Sequence, residues 1–144
     1  MKAAADPSVR TNTPAVSAAY VHIPFCVRKC SYCDFISYTG QPPARQQEYL
    51  RALLLEISRA ARWCQEQGPG TGGGLQSVFI GGGTPTLLAP DQLAEILAAL
   101  DRGFGLAADG EYTLEANPGT VTRTGLRRIR EAGFNRISFG LQAI

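Results

Sequence analysis

Apolar and polar positions along this chain follow two alternating rhythms. Short runs of β-type residues give way to longer stretches in which apolar positions recur every three or four residues. The first run is Ala19-Tyr20-Val21-His22-Ile23, ended by Pro24. After the turn residues Gly40, Pro42 and Pro43, a helix is predicted from Ala44 to about Gln67, with Leu50, Leu53, Leu54, Ile57, Ala61 and Cys64 on its apolar stripe. Gly68 to Gly74 breaks the pattern and reads as a flexible surface connection with no binding role. A second strand, Leu75 to Ile80, leads into Gly81-Gly82-Gly83-Thr84-Pro85-Thr86. Pro90 suits the first turn of a helix whose buried stripe is Leu93, Ile96, Leu97 and Leu100. A third strand, Glu111 to Ala116, ends at Asn117-Pro118-Gly119. Thr122 can cap the next helix, with Leu126 and Ile129 facing inward and Gly133 ending it. The fourth strand is Asn135 to Leu141.

Strands alternating with helices of this length imply parallel pairing through right-handed crossovers, in a sheet covered on its outer face. The expected fold class is therefore α/β, a partial TIM-like (β/α) barrel with about four βα steps. A complete eight-stranded barrel takes roughly 250 residues, and no helical pattern follows the last strand. Residues 19–144 thus read as the N-terminal portion of a barrel domain, and the small, polar residues 1–18 as a disordered leader.

Composition narrows the function classes. With 144 residues, 44% hydrophobic, the chain can bury a core, and a net charge of +2 gives no reason to expect nucleic acid or an acidic membrane as partner. No stretch approaches 18 consecutive apolar residues, so no membrane span is predicted. The opening segment lacks the apolar core of a secretory signal, and the expected location is cytoplasmic.

Every chemically unusual cluster lies at or just after a strand end: the cysteines, the glycine triplet, Glu115 to Pro118, and Gly140-Leu141-Gln142. Ligands of barrel and open α/β folds bind at the C-terminal ends of parallel strands, so the four clusters should converge. Three of the four cysteines, Cys26, Cys30 and Cys33, fall in one short loop, a spacing suited to metal rather than to a disulfide framework. Arg28 and Lys29 lie between the first two, where positive charge favours thiolate over thiol. Pro24 and Phe25 would fix the approach and shield the site from water. Spacing alone favours an iron–sulfur cluster with one iron left open, and leaves open a zinc site completed by His22 or Cys64. Cys64, on the apolar stripe of the first helix, also reads as a small buried hydrophobe. The glycine triplet lacks the Lys-Ser/Thr pair of a phosphate loop.

Tyr20-Val-His-Ile-Pro-Phe-Cys-Val-Arg-Lys-Cys-Ser-Tyr-Cys-Asp-Phe35 resembles the signature of radical S-adenosylmethionine (SAM) enzymes. Within them it is similar to oxygen-independent coproporphyrinogen III oxidases and to the related HemW-like haem chaperones. The likeness covers nearly the whole chain from Tyr20 onward, in four motifs in the family's order. It implies a [4Fe–4S] cluster on Cys26, Cys30 and Cys33, with SAM chelating the open iron and yielding a 5′-deoxyadenosyl radical on reduction. Tyr20 and Tyr32 match positions that line the SAM site in that family. Gly82-Gly83-Thr84-Pro85 resembles the glycine motif that meets the SAM amino group, since backbone without side chains lets carbonyls approach an ammonium. Glu115 resembles a strand-end carboxylate that contacts SAM, and Gln142 a glutamine that in the oxidase reaches a second SAM. His22 is left as a strand histidine hydrogen-bonded near the cluster.

In one respect the chain departs from the oxidases. They carry a fourth cysteine two residues after the third, whereas here Cys33 is followed by Asp34 and Phe35, as in the haem-chaperone branch. The resemblance therefore implies haem or porphyrin as a further ligand, an electron donor of flavodoxin or ferredoxin type, and a protein that accepts haem. Two other functions remain open at this level: a coproporphyrinogen III dehydrogenase, and a zinc-stabilised binding domain without redox chemistry.

Overall fold

The computed structural model describes residues 15–66, 68 and 70–140. In chain order its elements are β1 (Ala18–Ile23), β2 (Phe25–Cys26), β3 (Tyr38–Thr39), α1 (Pro43–Glu66), β4 (Leu75–Gly82), α2 (Pro90–Phe104), β5 (Leu106–Ala116), α3 (Arg123–Glu131) and β6 (Arg136–Phe139). Short 3-10 turns follow β4 at Pro85–Leu87 and β5 at Pro118–Thr120.

The predicted βα steps are present. β1, β4, β5 and β6 form one parallel sheet in that spatial order, so each crossover carries a helix and joins neighbouring strands. Because side chains alternate across a strand, each strand divides its residues between two faces. Val21, Ile23, Val78, Ile80 and Leu114 are buried against the helices, where they meet Leu50, Leu53 and Ile57 of α1 and Leu93, Ile96, Leu97 and Leu100 of α2. Each such side chain, fully buried, contributes about 1.5–3 kcal/mol of transfer free energy. The opposite face carries Tyr20, His22, Phe79 and Glu115, with the Tyr20 and Phe79 rings stacked at 6.1 Å.

The helix boundaries follow the local chemistry. α2 starts at Pro90, and the Gln92 side chain accepts from the Ala89 N–H at 2.8 Å. The Thr122 hydroxyl caps α3 by accepting from the Gly125 N–H at 3.1 Å. Ile129 of α3 is buried as expected, whereas Leu126 is only half-buried. No helix among the described residues is long and apolar enough to cross a membrane.

Two features depart from the expectation. β5 begins at Leu106, five residues before Glu111, and its pairing with β4 shifts register between Leu75 and Ser77. Side chains hold this irregular stretch: the Tyr112 hydroxyl donates to the Ala107 carbonyl at 2.5 Å, and Asn135 Nδ2 donates to the Gly110 carbonyl at 2.7 Å. The second feature is a separate two-stranded parallel pair, β2 with β3, in which Phe25 faces Tyr38 and Cys26 faces Thr39.

Candidate metal and cofactor site

The β2–β3 pair closes the loop that carries the cysteines. Tyr38 N–H donates to the Pro24 carbonyl at 2.7 Å, bringing the end of the loop back beside its start. Phe25, buried, anchors β2 edge-on against Tyr49 of α1 with ring centroids 5.3 Å apart. The Tyr49 hydroxyl in turn donates to the His22 carbonyl. Within the loop, Cys33 N–H donates to the Cys30 carbonyl at 3.1 Å, closing a tight turn between the second and third cysteines.

His22 ties the loop to β1 from the other direction. Its Nε2 lies 2.8 Å from the Ile36 carbonyl and its Nδ1 3.1 Å from the Tyr20 hydroxyl. A carbonyl can only accept, so this arrangement places the ring hydrogen on Nε2 and leaves Nδ1 to accept from Tyr20. His22 is therefore a strut between the sheet and the cysteine loop.

The end of β4 supplies the facing wall. Gly83 N–H donates to the Ile23 carbonyl at 2.9 Å and Thr84 N–H to the Phe25 carbonyl at 2.7 Å, stitching the glycine turn to the strand that leads into Cys26. A Cβ on Gly83 would stand 2.6 Å from the Phe25 carbonyl oxygen and 2.9 Å from Cys26 Sγ. Gly82, at φ +117°, leaves room for the His22 ring, which an added Cβ would approach to 2.6 Å. The Gly82 N–H donates to Glu115 Oε2 at 3.0 Å, so the carboxylate is fixed by the same turn.

Together these parts line one open cavity of about 230 Å³. Cys26, Cys30, Cys33, Tyr32, Gly82, Gly83, Thr84, Pro85 and Glu115 all contribute to it, along with Arg28, Lys29, Ser37 and Asn117. The convergence expected from the strand-end positions is met for these residues. Tyr20 stands apart, on the face beside His22 and Phe79. Its phenol is raised above its ordinary value by burial and by the Glu115 charge. Gln142 lies outside the described residues. Tyr32 is raised as well, first by its hydrogen bond to Cys30, then by the Cys30 charge, burial and the Cys33 charge.

The donor set fits a multi-iron cluster. Among the described residues, no three His, Cys, Asp or Glu side chains are already grouped closely enough to hold a metal ion. A four-iron cluster takes one thiolate per iron, so its ligands stand apart around a larger body. Three thiols lining one cavity, bare backbone against Cys26 and a buried Ser37 hydroxyl with no partner among the described residues suit such a group. Cys64 is buried on α1, away from this cavity. Ser37 and the loop-closing role of His22 went unread in the sequence, since neither belongs to a periodic pattern or a metal-ligand spacing.

A parallel βα sheet with a three-cysteine loop at its strand ends defines a class, and the chain belongs to it: residues 20–144 match the Radical SAM superfamily. Among particular relatives, the heme chaperone HemW of Escherichia coli is 40% identical over 124 residues, covering 86% of this chain and 31% of that protein. HemW of Synechocystis is 41% identical over 128 residues, 88% of this chain and 30% of that protein. A mitochondrial radical S-adenosyl methionine domain-containing protein 1 of Bos taurus is 39% identical, covering 89% and 27%. The solved structure of coproporphyrinogen III oxidase (HemN) from E. coli, a radical SAM enzyme, matches with a TM-score of 0.79 at 32% identity, covering 93% of this chain and 29% of that one. The chain thus spans less than a third of the length of these relatives.

Proposed function

We propose that this chain supplies the cluster- and SAM-binding part of a HemW-like haem chaperone. Cys26, Cys30 and Cys33 would hold a [4Fe–4S] cluster, and Gly82 to Pro85 with Glu115 would hold SAM beside it. When bound, such a cluster, one iron free of protein ligands, supplies SAM with a chelating metal and an electron. The observation that carries this reading is the single cavity shared by the three cysteines, the glycine turn and Glu115. The residues do the rest: Gly83 lets backbone approach Cys26, Glu115 offers a fixed carboxylate, and Tyr32 lines the same cavity as the cysteines. Haem or porphyrin would be the cargo, with an electron-donor protein of flavodoxin or ferredoxin type and a haem acceptor as partners. The cytoplasm would be the compartment.

Asp34 and Phe35 support the chaperone over the oxidase, because a fourth cysteine is missing from the loop. So do relatives described as heme chaperones at 40–41% identity. Iron and acid-labile sulfide per chain, measured after anaerobic reconstitution with and without SAM, test the site. About four of each, with a spectral change on adding SAM, are expected; bound zinc without iron would refute it. Conversion of coproporphyrinogen to protoporphyrinogen by the full-length protein would move the assignment to the oxidase.

A further inference from the structure

Two hydroxyl-bearing residues, Ser37 and Thr84, line the cavity that the cysteines share. Ser37 lines the cavity just before β3, and its Oγ is buried without a partner among the described residues. Burying a hydroxyl with no acceptor is unfavourable, so such a group marks a place where a ligand completes the bonding. Thr84 stands on the opposite wall and is itself buried. Its backbone N–H and carbonyl are occupied by Phe25 and Leu87. Its hydroxyl oxygen accepts from Asn117 Nδ2 at 3.2 Å. An amide N–H can only donate, so the Thr84 hydrogen is left to donate, and its acceptor is Cys26 Sγ, 3.9 Å from the hydroxyl oxygen.

We propose that Ser37 and Thr84 are hydrogen-bond donors to the sulfurs of the cluster that Cys26, Cys30 and Cys33 hold, and that they set its reduction potential. The inference rests on the reading of those cysteines as cluster ligands. Neither hydroxyl is a ligand to iron; both act as positioning residues on the sulfur. An added electron makes cluster and thiolate sulfur more negative, so donors aimed at sulfur stabilise the reduced form more than the oxidised one. Removing them lowers the potential.

The test is a redox titration of the full-length protein after anaerobic reconstitution, comparing wild type with Ser37→Ala, Thr84→Val and Thr84→Ser. At a fixed poise, Ser37→Ala and Thr84→Val should each lower the ratio of reduced to oxidised cluster by about three- to tenfold. Tenfold is about 59 mV for one electron. Thr84→Ser, which keeps the hydroxyl, should titrate as wild type. Unchanged potentials in Ser37→Ala and Thr84→Val, each with full iron and sulfide, would overturn the inference. Ser37→Ala, which deletes one oxygen and creates no clash, decides alone if Thr84→Val fails to fold. Wild-type protein that takes up no iron would instead refute the cluster reading, and the inference with it.

Discussion

At the C-terminal ends of the strands, a Cβ on Gly83 would press within 2.9 Å of the Cys26 sulfur; at the other end of β4, Gly73 has nothing within 4 Å. The same contrast holds for the cysteines. Cys30 lines the cavity above the sheet, whereas Cys64 is packed into the apolar face of α1 near the glycine-rich connection to β4. Both ends of the sheet thus carry a cysteine and a run of glycines, but only one end has them facing a shared space. In barrel folds the C-terminal end of the strands carries chemistry and the other end serves stability. Residue type alone does not separate the two; position along the βα step does.

The largest test of that contrast is Cys30→Ala. Losing one of three thiolates should abolish the cluster, with iron per chain falling from about four to near zero after reconstitution. Retention of wild-type iron in Cys30→Ala would remove Cys30 from the site. Gly83→Ala comes next. The added methyl cannot fit without moving β2 away from β4, an overpacking that costs roughly 1–3 kcal/mol, and the Cys26 sulfur moves with it. Lower thermal stability together with reduced iron is expected. A stable Gly83→Ala with full iron and normal SAM response would mean that the close approach serves neither.

How far the sequence alone reached follows the same division. The four strands of the main sheet and the three helices were legible because each buries one regular face, and a period of two or of 3.6 residues shows it. The β2–β3 pair was not legible, since strands of two residues have no period. Neither was the start of β5, where Ala107, Ala108, Asp109 and Gly110 lack strand propensity and are held by Tyr112 and Asn135 instead. At the site, the cysteines, the glycine turn and Glu115 stood out by type and by place at strand ends. His22 and Ser37 did not, because their roles come from what the folded loop sets beside them: a carbonyl of Ile36 for one, an absence of partners among the described residues for the other. Tyr20 shows the converse, a residue matched by motif that the fold sets on the face beside the cavity.

Cys64→Ala is the counterpart of Cys30→Ala at the opposite end. Removing a buried sulfur from the α1 face leaves a small cavity and should cost about 1 kcal/mol, measured by denaturant midpoint. Iron content should stay at the wild-type value. Iron loss on this change would put Cys64 among the ligands and reopen the zinc site that it could complete.

Gly73→Ala should have the smallest effect. Unlike its neighbours Gly72 and Gly74, at φ +55° and +89°, Gly73 has no left-handed backbone, and an added Cβ meets open space. The substitution therefore introduces neither strain nor a clash. It does restrict the unfolded chain, and glycine-to-alanine changes at compatible positions gain about 0.4–1 kcal/mol on that account. The expected outcome is stability unchanged or raised within that range in chemical denaturation, with iron, sulfide and SAM response all as in wild type. A loss of stability or of SAM response in Gly73→Ala would show that Gly73 serves packing or binding after all, and its contrast with Gly83 would fail.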